Sequence, residues 1–287
     1  MFNELSKLRN NNLNNFCSII IISFFPLFFL FSSLLTNLFT IILIFLFLSE
    51  IKLKPKNFIK DKILFLLILF WFFILISLFT SIYFENSISR SVGFLRFIFF
   101  SYALAYYFKL DNFKYFKIII LIWFFIFLIT SIDLLIEYIF GYNLLGNSSY
   151  MTGRLSGFLG EELKIGNFYL GFYFLIITFS IQFFKNQFLS FFIIIFFSLI
   201  AFLIGERSNF IKIILGLLIF LMFYEMIITK YKIIFFTIIV TFVLILINLN
   251  SDFKTRYKSQ IYNPIKTQGV YNYIKGIPYG AHFSTAY

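Results

Sequence analysis

Long runs of Phe, Ile and Leu, interrupted by short polar segments, set the rhythm of this chain. A helix crosses the hydrocarbon core of a bilayer with about 20 apolar residues, within a range of about 17–25. The apolar stretch 16–48 is too long for one ordinary span. Pro26 and the polar patch Ser32, Ser33, Thr36 and Asn37 predict a break there, giving helices over 16–31 and 34–48. Further spans are expected over 63–82, 92–108, 118–139, 165–184, 188–204, 211–228 and 233–249. The pattern predicts an all-α fold, a polytopic transmembrane helical bundle of about nine spans. The membrane domain is expected over 1–249, followed by an external tail over 250–287. No repeat of solenoid length is visible.

Composition makes lipid the solvent. Hydrophobic residues are 61% of the chain and charged residues 13%, against about 45–50% and about 25% in soluble domains. That surplus cannot be hidden in one water-soluble core of this size. The 49 Phe fit a compositional bias and do not by themselves mark an aromatic binding site. The first apolar run is long and lacks a small-residue cleavage site, so no cleavable signal is expected.

Charge then orients the bundle. With the N-terminus on the cytoplasmic side, the inner segments collect most of the lysines, among them Lys52, Lys54, Lys56, Lys60, Lys109, Lys117, Lys230 and Lys232. This follows the positive-inside rule, which short loops obey and long segments obey weakly. The opposite segments carry Arg90, Arg96, Arg154, Lys164, Arg207 and Lys212, and five more basic residues lie beyond 250. The net charge of +12 is dispersed among loops, so it reads as membrane topology and not as nucleic-acid binding. Cys17 is the single cysteine and His282 the single histidine. Together they exclude an internal disulfide and a cysteine- or multi-histidine-based metal site in this chain. His282 is a candidate general base by residue type and equally a structural or inert group.

Three outer segments carry candidate chemistry. In Ser89–Arg96, Arg96 lies about one turn inside an apolar run; it must snorkel, pair or face a polar cavity. The loop 141–166 is rich in Gly, Asn and Ser and gathers Arg154, Glu161, Glu162 and Lys164. Just before it, Asp133 and Glu137 share a helix face at i, i+4 spacing. They are candidates for function, or for a structural bridge to Arg96 or Arg154. The third segment is the tight turn Gly205-Glu206-Arg207-Ser208-Asn209, with Lys212 one turn on. A guanidinium is planar, always charged and able to bind phosphate as a fork. Outward arginines at headgroup level therefore suit a phosphate or pyrophosphate at the membrane surface, most simply a lipid-linked one.

The run Arg154-Leu155-Ser156-Gly157-Phe158 leading into Gly160-Glu161-Glu162-Leu163-Lys164-Ile165-Gly166 resembles the O-antigen ligase / O-antigen polymerase superfamily of bacterial membrane glycosyltransferases. Glu206-Arg207-Ser208-Asn209 after the next hairpin supports the resemblance, and the segment Tyr279–Tyr287 looks like the approach to a following helix. The resemblance implies a multi-pass protein of the bacterial inner membrane and a metal-independent enzyme without cofactor. Such an enzyme moves a glycan from an undecaprenyl-pyrophosphate carrier to a lipid or glycan acceptor at the periplasmic face. Its partners would be that lipid-linked glycan, the acceptor and membrane lipids, with no nucleic acid. Arg154, Arg207 and Arg96 would hold the pyrophosphate, and Glu161, Glu162, Lys164 and Arg90 would support them. The family's catalytic base is a histidine in a large periplasmic loop beyond the matched region, so it is not assigned to His282. On this resemblance the chain is expected to be the front part of a longer protein, or a short form, with residues after 249 opening the periplasmic region. A transporter or flippase for a lipid-linked sugar, and a non-catalytic membrane subunit, are the competing readings.

Overall fold

The computed structural model describes residues 13–53, 62–81, 84–110, 113, 115–160, 164–184, 186–224 and 229–276; among them no strand occurs. The helices are α1 Leu13–Phe31, α2 Ser33–Leu53, α3 Lys62–Ser77, α4 Phe84–Gly93, α5 Leu95–Lys109, α6 Phe116–Phe140, α7 Ile165–Phe184, α8 Gln187–Leu203, α9 Arg207–Phe223 and α10 Thr229–Leu249. After α10 come the short α11 Ser251–Phe253, a π-helical segment Lys254–Tyr262 and α12 Asn263–Gly276. Among the described residues, six helical stretches are long and apolar enough to cross a bilayer: α1, the Ser33–Glu50 part of α2, the stretch Ser87–Lys109, α6, α7 and α10. Helix α3 and the Phe188–Leu203 part of α8 are shorter apolar helices. Side chains such as Phe45, Phe65, Phe73, Ile139, Phe192 and Leu249 are exposed on these helices. So much outward apolar surface is what a lipid-facing bundle requires, and it marks the chain as a helical membrane protein.

The chain forms two compact units, 1–126 and 127–287. In the first, α1 packs on α2 and α2 on α5, while α3 packs on α4 and α5. The break expected between 31 and 34 falls at Ser32. The Ser32 hydroxyl accepts from Leu34 N at 3.1 Å and its carbonyl from Thr36 N at 3.1 Å, which caps the start of α2. Pro26 sits inside α1. A proline has no N–H to offer the carbonyl four residues back, here Ile22. The buried Trp123 indole takes that acceptor, Nε1 donating to Ile22 O at 2.8 Å, so the helix runs on through the proline. Rings from α1 and α2, Phe28 and Phe39, stack at 3.9 Å.

The second unit holds 127–140 of α6, with α7–α10 and the segment 250–276. Its core is aromatic: Phe127, Phe168, Tyr169, Tyr173 and Phe197 are buried. Phe127 meets Tyr169 at 4.3 Å and Phe197 at 4.9 Å between centroids. The buried tyrosine hydroxyls find partners, Tyr169 with Ser131 Oγ at 2.9 Å and Tyr173 with Ser198 Oγ, as polar groups away from water must. Asn186 caps α8, its side-chain oxygen accepting from Phe188 N at 2.9 Å. Gly216 of α9 faces the Phe174 ring of α7 so closely that a Cβ would fall 2.4 Å from Cζ; small residues of this kind let membrane helices approach.

Candidate functional site

Helices α6 to α10 run alternately through the second unit, so three connections share one end of it: 141–164, the turn 204–206, and the segment after Leu249. The long loop is fastened to the bundle by buried acids. Glu137, near the end of α6 and 3% exposed, accepts from Ser156 N at 2.9 Å, Ser156 Oγ at 2.8 Å and Gly157 N at 2.7 Å. Asp133 Oδ1 accepts from Leu144 N at 2.8 Å. Asn143 completes the fastening: its Nδ2 donates to Gly157 O at 2.6 Å, and its Oδ1 accepts from Asn147 N at 2.8 Å. Asp133 and Glu137, candidates for function or for a structural bridge, accept from loop amides. Buried acids here act as backbone caps.

Pinned in this way, the loop crosses the α8–α9 turn. Leu155 N donates to Ile204 O at 3.1 Å. Gly205 has φ +76°, and a Cβ on it would lie 2.0 Å from Gly153 O, so only glycine fits the crossing. Arg154 is thereby set beside Glu206, and the two form a hydrogen-bonded ion pair. The Glu206 carboxylate also accepts from Asn209 Nδ2, which donates to Asn167 Oδ1 at 2.9 Å. Gly166 gives this carboxylate its room, since a Cβ there would lie 1.9 Å from Glu206 Oε2.

A cleft of about 690 Å³ opens at this crossing, lined by Arg154, Asn167, Glu206, Arg207, Ser208, Asn209, Ile211, Lys212, Arg256, Ile261 and Tyr273. Four cations face one carboxylate, a formal excess of three positive charges. Arg207 Nη1 donates to Arg256 O at 2.9 Å, and Arg256 Nη1 donates to Thr152 O at 3.2 Å. Burial, together with the neighbouring charges of Arg207 and Arg154, lowers the pKa of Arg256 from its ordinary value. Beneath the segment, Phe253 and Tyr257 stack on Phe202 of α8 at 5.0 and 5.4 Å. Burial pushes the Tyr257 hydroxyl up to about 12 against the pull of Arg256 and Arg207, so it is a neutral phenol at physiological pH. Clustered guanidiniums in a partly desolvated cleft suit a multiply charged oxyanion.

The structure therefore brings Arg154 and Arg207 together. Lys164, just before α7, is exposed and does not line the cleft. Arg96 and Arg90 belong to the first unit, and the cleft is lined without them. Arg96 is exposed with its guanidinium 4.8 Å from the Phe97 ring centroid, a cation–π contact. Arg90 borders a smaller hollow lined by Ser77, Ser81, Ser87 and Ser91. Glu161, Glu162 and His282 lie outside the described residues. Sequence reasoning missed Arg256 and gave Glu206 no role of its own. The available signal was the basic run Lys254–Lys258 at the same end as the other two connections. Among the described residues, no three His, Cys, Asp or Glu cluster as a metal site. Comparison with family models, with curated proteins and with solved structures finds no match.

Proposed function

We propose that this chain is a nine-span inner-membrane glycosyltransferase of the O-antigen ligase or polymerase type, with its N-terminus cytoplasmic and its cleft at the periplasmic face. The donor is a glycan on an undecaprenyl-pyrophosphate carrier and the acceptor a sugar hydroxyl on a lipid or on another glycan. One observation carries the reading: Arg154, Arg207, Lys212 and Arg256, from three separate stretches of sequence, line a single cleft. In the transfer, the acceptor oxygen bonds to the anomeric carbon as the bond from that carbon to the pyrophosphate oxygen breaks. The electron pair leaves with the carrier pyrophosphate, and the acceptor's proton passes to a base. Cations fixed around the leaving group stabilise its growing charge, the kind of preorganised electrostatics that dominates many enzymes. Glu206 and Asn209 position Arg154 for this role. Orientation is supported by Lys230 and Lys232 at the start of α10, opposite the cleft end of that helix.

The test is glycan transfer from a synthetic polyprenyl-pyrophosphate donor by the full chain in nanodiscs. Arg154→Lys and Arg207→Lys keep the charge but lose the fork; each is expected to lower turnover by about tenfold or more, the factor that 1.4 kcal/mol of lost stabilisation gives. Turnover unchanged in both variants refutes the assignment. Movement of labelled donor across vesicles without transfer would make the protein a transporter instead.

A further inference from the structure

We propose that Arg256 is a specificity-determining residue of the cleft, a guanidinium that reads the second phosphate of a phosphoanhydride and, once it does, locks the helical segment Ser251–Gly276 over the site. The inference rests on the anion-binding reading above and adds a residue, a ligand preference and a moving part to it.

The loop is shaped for this arginine. Gly153 has φ +70°, and a Cβ on it would fall 2.8 Å from Arg256 Cδ and 3.2 Å from Asp252 Cβ. A bare backbone at 153 is what lets the arginine stem lie across the loop toward the cleft. Arg256 and Arg207 then support one another, since Arg207 donates to the Arg256 carbonyl while Arg256 donates to that of Thr152. Arg256 Nε is buried and has no hydrogen-bond partner among the described residues. A charged donor left buried without an acceptor is costly, and an incoming anion oxygen would satisfy it.

Charge indicates the kind of anion. Glu206 is the one carboxylate among the cleft-lining residues and is engaged by Arg154 and Asn209. Arg207, Arg256 and Lys212 leave a repulsion that a doubly charged phosphoanhydride offsets better than a single phosphate diester would. The backbone adds a further indication. Lys254–Tyr262 is π-helical, a geometry that is rare, appears mostly as short bulges and often sits at functional sites. The segment is anchored at its start by Asn250, whose side chain accepts from Asp252 N at 2.9 Å, and by Phe253 against Phe202. Gly269, with φ +79° and ψ 160°, breaks the helix further on. Between anchor and break lie Arg256 and Ile261, and just past the break Tyr273; all three line the cleft.

The experiment uses the full chain in nanodiscs, with inorganic pyrophosphate and inorganic phosphate as probes. Binding is measured by calorimetry for the unsubstituted chain, Arg256→Gln, Arg256→Lys, Arg154→Gln and Arg207→Gln. Amide exchange is followed over 251–276 with and without pyrophosphate. The unsubstituted chain is expected to prefer pyrophosphate. Arg256→Gln should weaken pyrophosphate by about tenfold or more, equivalent to 1.4 kcal/mol, and phosphate far less, with Arg256→Lys between. Pyrophosphate should slow exchange over 254–262 in the unsubstituted chain and not in Arg256→Gln. Pyrophosphate binding lost in Arg154→Gln and Arg207→Gln but unchanged in Arg256→Gln overturns the role of Arg256 and leaves the anion site standing. Equal loss of both anions in Arg256→Gln overturns the phosphate-reading role. Exchange unaffected by bound pyrophosphate in the unsubstituted chain overturns the locking, whatever the variants do. Failure of the unsubstituted chain to bind pyrophosphate at all overturns the anion-binding reading itself.

Discussion

Replacing Glu137 should disable the cleft without touching any group that lines it. The Glu137 carboxylate is buried and accepts from Ser156 N, Ser156 Oγ and Gly157 N at 2.7–2.9 Å. Bonds to a charged acceptor are worth roughly 1.5–3 kcal/mol each, and a buried donor left unpaired costs about 1–3 kcal/mol. Glu137→Ala removes the acceptor of all three donors, so a loss of roughly 3–6 kcal/mol is expected, after allowing for non-additivity and for water entering the gap. That is a large share of a typical folding stability of about 5–15 kcal/mol. Glu137→Gln keeps one carbonyl oxygen but turns an NH₂ toward donors, and should fall about midway. The assay is thermal unfolding in detergent alongside pyrophosphate binding in nanodiscs. Because Arg154 precedes Ser156 by two positions along the pinned loop, Glu137→Gln is expected to weaken binding at a temperature where the protein is still folded. An unchanged melting midpoint in Glu137→Ala refutes the reasoning, since three buried donors would have lost their acceptor at no cost. A lowered midpoint with binding intact in folded Glu137→Gln refutes the link from the loop's fastening to the cleft.

Gly205→Ala forces a side chain into a left-handed backbone, about 1–2 kcal/mol by itself, and drives a Cβ to within 2.0 Å of the Gly153 carbonyl; lower melting and lost pyrophosphate binding are expected together. Trp123→Phe leaves the Ile22 carbonyl beside Pro26 without its donor and should cost about 1–3 kcal/mol. In a Pro26→Ala background, which restores a backbone N–H to that carbonyl, the same substitution should cost measurably less in a double-mutant cycle of unfolding free energies. Tyr257 ionises in the folded chain only near 12, above its ordinary value of 10.0. The stability this contributes is complete below pH 10 and declines as pH rises toward 12. Tyr257→Phe should therefore flatten that part of the stability–pH curve, followed by urea titration.

The helices were legible because lipid imposes a coarse rule: a long continuous apolar stretch becomes a helix, the arrangement that satisfies its backbone within the stretch itself. The run 118–139 falls within α6, and 165–184 coincides with α7. The break between the first two helices also falls where the polar patch put it, at Ser32. What the local sequence does not show is that Trp123, 101 positions away, donates to the Ile22 carbonyl that Pro26 cannot serve. The expected spans 63–82 and 92–108 leave 83–91 between them as a connection, and within it 84–91 is helical as part of α4, which leads directly into α5. Ser87, Arg90 and Ser91 border a hollow that Ser77 at the end of α3 also lines, and α4 packs on α3. Polarity there does not mark the absence of a helix.

For the site, sequence neighbours were the wrong unit of grouping. Arg154, Glu161, Glu162 and Lys164 are close in the chain, yet Arg154 pairs with Glu206, 52 positions on, and Arg256 reaches Thr152, 104 positions back. The property that does carry over from a string of residues to a cleft is the parity of the spans. Consecutive helices reverse direction, so every second connection lies at the same end: 141–164, 204–206 and the segment after Leu249. Parity places Arg154, Arg207 and Arg256 at one end before any contact is known. Glycines then decide which of these backbones can touch. Gly205 admits the Gly153 carbonyl, Gly153 admits the Arg256 stem and Gly166 admits the Glu206 carboxylate. Each of these glycines sits beside a charged residue of the cleft or beneath one, and each would obstruct it with a single added carbon. The positive charge of the cleft is therefore concentrated by the absence of side chains as much as by the arginines, and the buried acids of α6 hold the loop in the one place where that absence is useful.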